Sequence, residues 1–245
     1  MPQPDPPAAR SHPFVTTRWS LVFSAADPDA RDAREQFARL YAYPLYAFAR
    51  RKGLTVEDAE DAVQGFLSRL MVGNRLGGVR PEGGRFRSYL LAGFRNFLVS
   101  LHRHDTALER MPAAGIVFLE GLDPEGRFSL ETSSGGSPET EYDRQCARTI
   151  LELVEEQLRR EYSIRGQDAL FEHFLRHLTE DPDADSHAAA ALRMGRDPGA
   201  IRNAMVAFRS RFGRLFREHV EATLETTDAR LVEDELRHLY QALGG

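Results

Sequence analysis

The chain has 245 residues, of which 42% are hydrophobic and 28% charged, and its formal net charge is -5. This composition is typical of a soluble globular protein and argues against a disordered or fibrous chain. No run approaches the roughly 20 apolar residues that a bilayer helix needs, which excludes a membrane-spanning protein. A single cysteine, Cys146, excludes an internal disulfide framework. Because the proline-rich first residues also lack a secretory signal, we expect a cytoplasmic protein.

The charges are segregated along the chain. Residues 74–104 carry six arginines and one acid, and residues 193–217 carry seven arginines and one acid. Between these segments, residues 105–145 carry nine acids and three arginines. Two basic segments in an otherwise acidic chain indicate an anionic polymer that is held at two places. Arginines that merely decorate solvated helix faces are the alternative, and charge alone does not decide between them.

Helical periodicity dominates the first half of the chain, with almost no strand pattern. Apolar residues recur at helical spacing over residues 33–52, which predicts a first helix. Thr55 as N-cap, with Asp58 three positions later, predicts the start of a second helix. A glycine-rich loop is expected at residues 73–84, before a third helix at residues 85–103 that buries Phe86 and Phe97.

The second half begins after a segment in which periodicity fails. Residues 132–138 have linker composition, and we predict a domain boundary there. Helical spacing returns over residues 142–162 and again over residues 170–178. A short alanine-rich helix at residues 187–194 is expected to end at a glycine. After that turn, Asp197 and Pro198 predict the N-cap and first position of a longer, arginine-bearing helix. This order is the pattern of a helix-turn-helix.

Several stretches carry a family resemblance, and they stand in the order in which that family has them. They are TVEDAEDAVQGFL at 55–67, RFRSYLL at 85–91, FRNFL at 94–98, residues 188–212, FVTTRWSLV at 14–22 and VEDELRHLY at 232–240. The first three resemble region 2 of bacterial extracytoplasmic-function sigma factors, and the fourth resembles region 4. The last two look like the flanks of a divergent sigma-like subgroup.

Periodicity and resemblance together predict an all-α protein with two small helical domains joined by an acidic linker. The expected divisions are an N-terminal extension at 1–30, a region 2-like domain at 31–105, an acidic linker at 106–140, a region 4-like helix-turn-helix domain at 141–220 and an acidic helical extension at 221–245. The resemblance implies that the linker threads toward the polymerase active centre. Its composition alone favours a disordered tether.

The resemblance implies core RNA polymerase as a partner, with an anti-sigma factor as a further one that it allows. In this family the second helix of region 2 docks on the clamp of the largest polymerase subunit, so an acidic, amide-bearing face is expected there. Asp58, Asp61 and Gln64 match that face, and Gly65 stands where the family usually has an acid. A solvated acidic face on an amphipathic helix is the alternative.

The resemblance also implies promoter DNA as a partner. In the family the third helix and the loop before it open the minus-ten element, while the recognition helix of region 4 enters the major groove at the minus-thirty-five element. We expect Arg202 and Asn203 to read base edges, and arginines beside them to contact phosphates. The expected DNA-contacting residues are Arg85, Arg87, Asn96, Arg103, Arg196, Arg202, Asn203 and Arg209.

Enzyme patterns fail on inspection. His173 and His177 are spaced like two zinc ligands on a helix, but Phe174 stands where the catalytic pattern needs Glu. We therefore predict neither catalysis, nor a metal, nor a cofactor. A stand-alone, dimeric helix-turn-helix regulator of transcription is the alternative function. Such a regulator would have no use for an acidic face directed at a polymerase clamp.

Overall fold

The computed structural model describes residues 31–72, 85–103, 123–131, 136–179, 184–224 and 228–244. Within these ranges 88% of the residues are helical and none lies in a strand, which confirms the predicted all-α class. None of the helices in this part of the chain is long and apolar enough to cross a bilayer. The helices of these ranges are α1 (Arg31–Arg51), α2 (Val56–Val72), α3 (Phe86–Arg103), α4 (Pro124–Leu130), α5 (Pro138–Ser163), α6 (Asp168–Arg176), α7 (Ala184–Met194), α8 (Pro198–Leu224) and α9 (Ala229–Gly244).

Helices α1, α2 and α3 form a first core that is rich in aromatic side chains. The predicted N-cap of α2 is confirmed, because the Thr55 hydroxyl accepts a hydrogen bond from the backbone N–H of Asp58 at 3.1 Å. Phe86 is buried, as predicted, and its ring lies edge-on to that of Tyr41 in α1, with centroids 5.4 Å apart. Phe97 is partly buried and packs against the same core.

Gly65 has a packing role in this core. A Cβ atom at this position would lie 3.3 Å from Cζ of Phe97, a tight contact that would require the Phe97 ring to shift by a few tenths of an ångström. Gly65 therefore allows close packing of α2 on α3, at a cost in helix propensity of about 1 kcal/mol.

Helix α5 joins the first core to a second one. Near its start Tyr142 and Cys146 are buried among the residues of the first core. Further along, Ile150, Val154 and Leu158 are buried in a second core with α6, α7, α8 and α9. Because α5 runs without a break from one core into the other, the predicted division into two domains remains a prediction.

Helix α4 lies inside the segment for which the sequence predicted no regular structure. The Asp123 carboxylate caps its first turn by accepting from the N–H of Gly126 at 2.9 Å. Glu125 accepts hydrogen bonds from the Tyr46 hydroxyl at 2.6 Å and from Nε of Arg50 at 3.0 Å. These two bonds, from Tyr46 first and then Arg50, lower the pKa of Glu125. The reading as a disordered tether is therefore wrong for Pro124–Leu130, which is docked on α1. Residues 106–122 and 132–135 of the predicted linker lie outside the described residues.

The predicted order of a short helix, a glycine turn and a longer helix is present in α7, the turn after it and α8. Gly195 has a φ of +61°, a conformation that glycine adopts without strain. The Asp197 carboxylate then accepts from the N–H of Ala200 at 2.8 Å, so the predicted N-cap is confirmed. Helix α7 begins at Ala184, three residues before the predicted start, and α8 continues to Leu224.

Helix α9 is an integral part of the second core. Val232, Leu236 and Leu239 are buried against α5 and α8. Tyr240 stacks on Phe216 of α8, with ring centroids 5.3 Å apart and planes inclined by 25°. The C-terminal segment that was predicted as an acidic extension thus holds together the helices around it.

Candidate nucleic-acid interface

The first three turns of α8 present an open face to solvent. Arg202 and Asn203 are exposed, and neither Arg202 nor Arg196 in the preceding turn forms an ion pair with a described residue. Val206 is 65% exposed on the same face, and Ala207 beside it is exposed as well. The inner face of the helix, with Ile201, Met205 and Phe208, is buried. This open face therefore combines a cation, an amide and an apolar methyl surface.

Arg209, further along α8, is placed differently from Arg202. Nη2 of Arg209 donates to the backbone carbonyl of His177 at 2.9 Å, in the segment that follows α6. Its side chain is half-buried. Arg209, which the sequence assigned to a DNA phosphate, thus fixes α8 against the end of α6 and helps to orient the open face.

At the start of α3, two of the predicted DNA contacts are bound to a carboxylate of α9. Arg87 holds Glu235 with both sides of its guanidinium: Nε lies 2.6 Å from Oε1, and Nη2 lies 3.2 Å from Oε2. Nε of Arg85 lies 2.6 Å from Oε2 of the same carboxylate. Glu235 is only 1% exposed, whereas the Arg85 side chain remains 37% exposed. The buried carboxylate of Glu235 therefore forms ion pairs with both Arg85 and Arg87.

A second acid completes the site around Arg87. Nη1 of Arg87 is paired with Asp143 of α5, whose other oxygen lies 2.7 Å from Nε2 of His238 in α9. The Tyr142 hydroxyl donates to the backbone carbonyl of Arg87 at 3.0 Å. We call Arg85, Arg87, Asp143, Glu235 and His238 the α3–α5–α9 charge cluster. It ties the first core to α5 and α9.

The cluster keeps Arg87 charged although the side chain is buried. Burial alone would lower the pKa of Arg87, but its hydrogen bond to Glu235 and the charges of Asp143 and Glu235 outweigh burial and raise the pKa above its ordinary value. A buried Arg87 with its donors directed at these carboxylates does not contact a phosphate in this conformation. The assignment of Arg87 as a surface DNA contact does not match its position.

The remaining predicted contacts of α3 are spread along the helix. Asn96 is exposed, as are Ser88 and Tyr89 nearer the start of the helix. Tyr89 is 44% exposed and offers part of its ring to solvent. Arg103 is the last residue of α3, and its side chain lies outside the described residues, as does the predicted base-capturing loop at residues 73–84.

The predicted polymerase-binding residues lie together on the outer side of α2. Asp58 and Asp61 are exposed, and neither forms an ion pair with a residue of the described ranges. Gln64 is half-buried one turn further along. The acidic face that the sequence predicted is therefore available for an external cation.

Histidines cluster beneath the helix-turn-helix without forming a metal centre. Rings of His173 and His177 have centroids 5.0 Å apart, and Nε2 of His173 is 3.4 Å from Nδ1 of His187 in α7. Burial lowers the pKa of His173, which favours its neutral form. In the described part of the chain, no group of three or more His, Cys, Asp or Glu side chains is arranged to hold a metal ion.

Two acids of the charge cluster were not predicted as site residues from the sequence. Glu235 and Asp143 supply the carboxylates of the charge cluster. Asp143 was counted only in an acidic segment, and Glu235 only in the acidic C-terminal extension and in the stretch VEDELRHLY. A signal for Glu235 was present, since it falls three residues after Val232 and four before Leu239, inside the apolar stripe of α9. An acid in such a stripe requires a buried cationic partner.

The chain was compared with protein-family models, with curated proteins and with solved structures. No family model, no curated protein and no solved structure matches it.

Proposed function

We propose that this protein is a sigma-like subunit that directs bacterial core RNA polymerase to promoters. The observation that carries the proposal is the pairing of two open surfaces on one chain. One is the acidic face of α2 with Asp58 and Asp61, and the other is the open face of α8 with Arg202 and Asn203. A protein that only binds DNA needs the second surface but not the first.

The open face of α8 suits the major groove of duplex DNA. The Arg202 guanidinium matches the two acceptors of guanine, and the Asn203 amide matches the donor and acceptor of adenine. Exposed Val206 offers methyl groups where the family pattern has a polar or basic residue, and an apolar side chain suits the methyl group of thymine. We therefore expect this surface to prefer a thymine at the position that Val206 faces.

The role needs no catalytic group, because the polymerase performs the chemistry and this chain supplies recognition. Its place of action would be the cytoplasm, where core polymerase and promoter DNA are found. An anti-sigma factor that covers either open surface is a compatible further partner. Asp58, Asp61 and Gln64 would contact the polymerase clamp, and the open face of α8 would contact the minus-thirty-five element.

The proposal is tested by retention of tagged protein on bacterial core polymerase, with the variant Asp61→Arg. Because a reversed charge would face a basic clamp, we expect Asp61→Arg to lower the affinity for core enzyme at least about tenfold, or about 1.4 kcal/mol. Glu35→Arg reverses an exposed acid of α1 and is the matched control, which should bind like the native protein.

Equal retention of the native protein and Asp61→Arg would contradict the clamp assignment. Nanomolar binding of the protein alone to a palindromic duplex, without any effect of core enzyme, would instead support the dimeric regulator.

A further inference from the structure

The start of α3 is covered by a helix that lies far away in the sequence. Arg87 and Glu235 are 148 residues apart, and their side chains meet in a two-pronged contact. Arg85 adds a second guanidinium to the same carboxylate at 2.6 Å. Arg85, just before α3, and Arg87 in its first turn are thus both paired with one acid of α9.

This arrangement resembles the way in which arginines bind a phosphate. A guanidinium fork recognises planar or tetrahedral oxyanions through paired N–H donors, and carboxylate and phosphate both fit it. In the charge cluster Oε1 and Oε2 of Glu235 take the places that two phosphate oxygens would take. Glu235 and a nucleic-acid phosphate therefore cannot occupy the same donors, Nε of Arg85 and Nε and Nη2 of Arg87, at the same time.

The contact between Glu235 and the two arginines is buried at Arg87 and more exposed at Arg85. On the inner side Arg87 is also paired with Asp143, so its charge remains compensated if Glu235 leaves. On the outer side the Arg85 side chain is 37% exposed, so an incoming anion can reach it before α9 moves. His238, on the same helix as Glu235, lies with its Nε2 2.7 Å from the other oxygen of Asp143. The cluster thus allows exchange of one anion for another without leaving Arg87 uncompensated.

We infer that α9 is an autoinhibitory element in which Glu235 stands in for a nucleic-acid phosphate at Arg85 and Arg87. In the free protein the anion site on α3 is closed, while the open face of α8 stays accessible. Binding of single-stranded DNA by α3 then requires release of Glu235. The inference rests on the proposed function, because it gives α3 the nucleic-acid contact expected of a sigma-like protein.

The test compares Glu235→Gln with Glu233→Gln, which removes an equal charge from the same helix. Glu233 pairs with Arg217 of α8, and in the described part of the chain no hydrogen bond or ion pair joins it to α3. Binding of a fluorescein-labelled single-stranded DNA oligonucleotide of mixed sequence is measured by anisotropy. We expect Glu235→Gln to bind at least about tenfold more tightly than the native protein, because a competent state populated at no more than about 10% lowers the apparent affinity in that proportion. Glu233→Gln should stay within about twofold of the native protein, as a single exposed charge is largely screened.

A double variant tests whether the gain in DNA affinity depends on the arginine at the start of α3. Adding Arg85→Ala to Glu235→Gln should remove most of the increase, since the released site then lacks its outer arginine. Equal affinities of Glu235→Gln and Glu233→Gln, or a gain that Arg85→Ala leaves intact, would overturn the inference.

Hydrogen exchange of the native protein provides a test that does not depend on a variant. With saturating single-stranded DNA, amide exchange in residues 229–244 should rise, because α9 loses its contact with α3. Unchanged exchange of this segment in the bound state would overturn the inference.

The two proposals fail separately. If Glu235→Gln and Glu233→Gln bind DNA alike while core polymerase still transcribes with both, the autoinhibition is wrong and the sigma-like function stands. If Glu235→Gln gains affinity through Arg85 but no variant binds core polymerase, the sigma-like function is wrong and the autoinhibitory contact stands.

Discussion

The two arginine-rich ends of the predicted interface differ in what surrounds them. At the start of α3, Arg85 and Arg87 share the carboxylate of Glu235, and Arg87 is buried. In the turn before α8 and at its start, Arg196 and Arg202 are exposed and form no ion pair with a described residue. One end is thus satisfied within the protein, and the other is available to a partner.

The difference follows from packing and not from charge. The first turn of α3 meets the acids that α5 and α9 carry. Helix α8 buries one face, with Ile201 and Met205, and no residue of the described ranges packs over the opposite face. The number of arginines in a segment therefore determines the long-range electrostatic attraction of an anionic partner. It does not determine how many N–H donors that partner can contact.

The largest expected effect is a loss of protein stability when the buried arginine at the start of α3 is removed. Arg87→Ala leaves Glu235 without its two-pronged partner in an almost fully buried position. Removing one member of a buried ion pair typically costs about 3–5 kcal/mol, so we expect a loss of that order in the free energy of unfolding. Urea denaturation followed by circular dichroism measures it.

The matched control for Arg87→Ala is Arg95→Ala on the same helix. The Arg95 side chain is 53% exposed, and its nearest acid, Glu139, lies 3.6 Å away, so its loss should cost no more than about 0.5 kcal/mol. If the two variants were equally stable, the cluster would not hold α3 against α9, and the comparison between the two ends would lose its basis.

A smaller effect, on DNA binding, is expected at the open face of α8. If Arg202 reads a base edge, Arg202→Ala should weaken binding to the preferred duplex by about 1–3 kcal/mol and relax selectivity at one base pair. The stability of the protein should hardly change, because the side chain has no described ion-pair partner to lose. Competition binding with single-base variants of the duplex measures the loss of selectivity.

Arg209→Ala is the counterpart of Arg202→Ala on the same helix. Because Nη2 of Arg209 holds the carbonyl of His177, this variant should lower the thermal stability and weaken all duplexes about equally. Should Arg209→Ala instead change selectivity at one base pair, as Arg202→Ala is expected to do, the division between a reading and an orienting arginine would be wrong.

The sequence predicted most helices because their signals are local. Thr55 and Asp197 are N-caps whose hydrogen bonds reach only three residues ahead, and both bonds are present in the structure. Gly195 marks a turn through its own backbone conformation. The α2 and α8 faces were predicted in the same way, since residues at helical spacing share a side whatever the rest of the chain does.

Helices and ion pairs that depend on residues distant in the sequence were not predicted. Helix α4 is only seven residues long and is held by contacts such as those of Glu125 with Tyr46 and Arg50, so its own periodicity is too short to detect. Its Asp123–Pro124 start was nevertheless the same cap signal that was recognised at Asp197. The occupation of Arg87 could not be predicted from its own neighbours, because both carboxylates belong to helices far along the chain.

The most direct test of the proposed function is permanganate footprinting of a promoter duplex. The duplex is selected from a random-sequence pool by run-off transcription that depends on this protein and core polymerase. We predict that unpaired thymines near the start site become reactive only when core enzyme and this protein are both present. Thymines that stay unreactive with both present, or that react with core enzyme alone, would contradict the account.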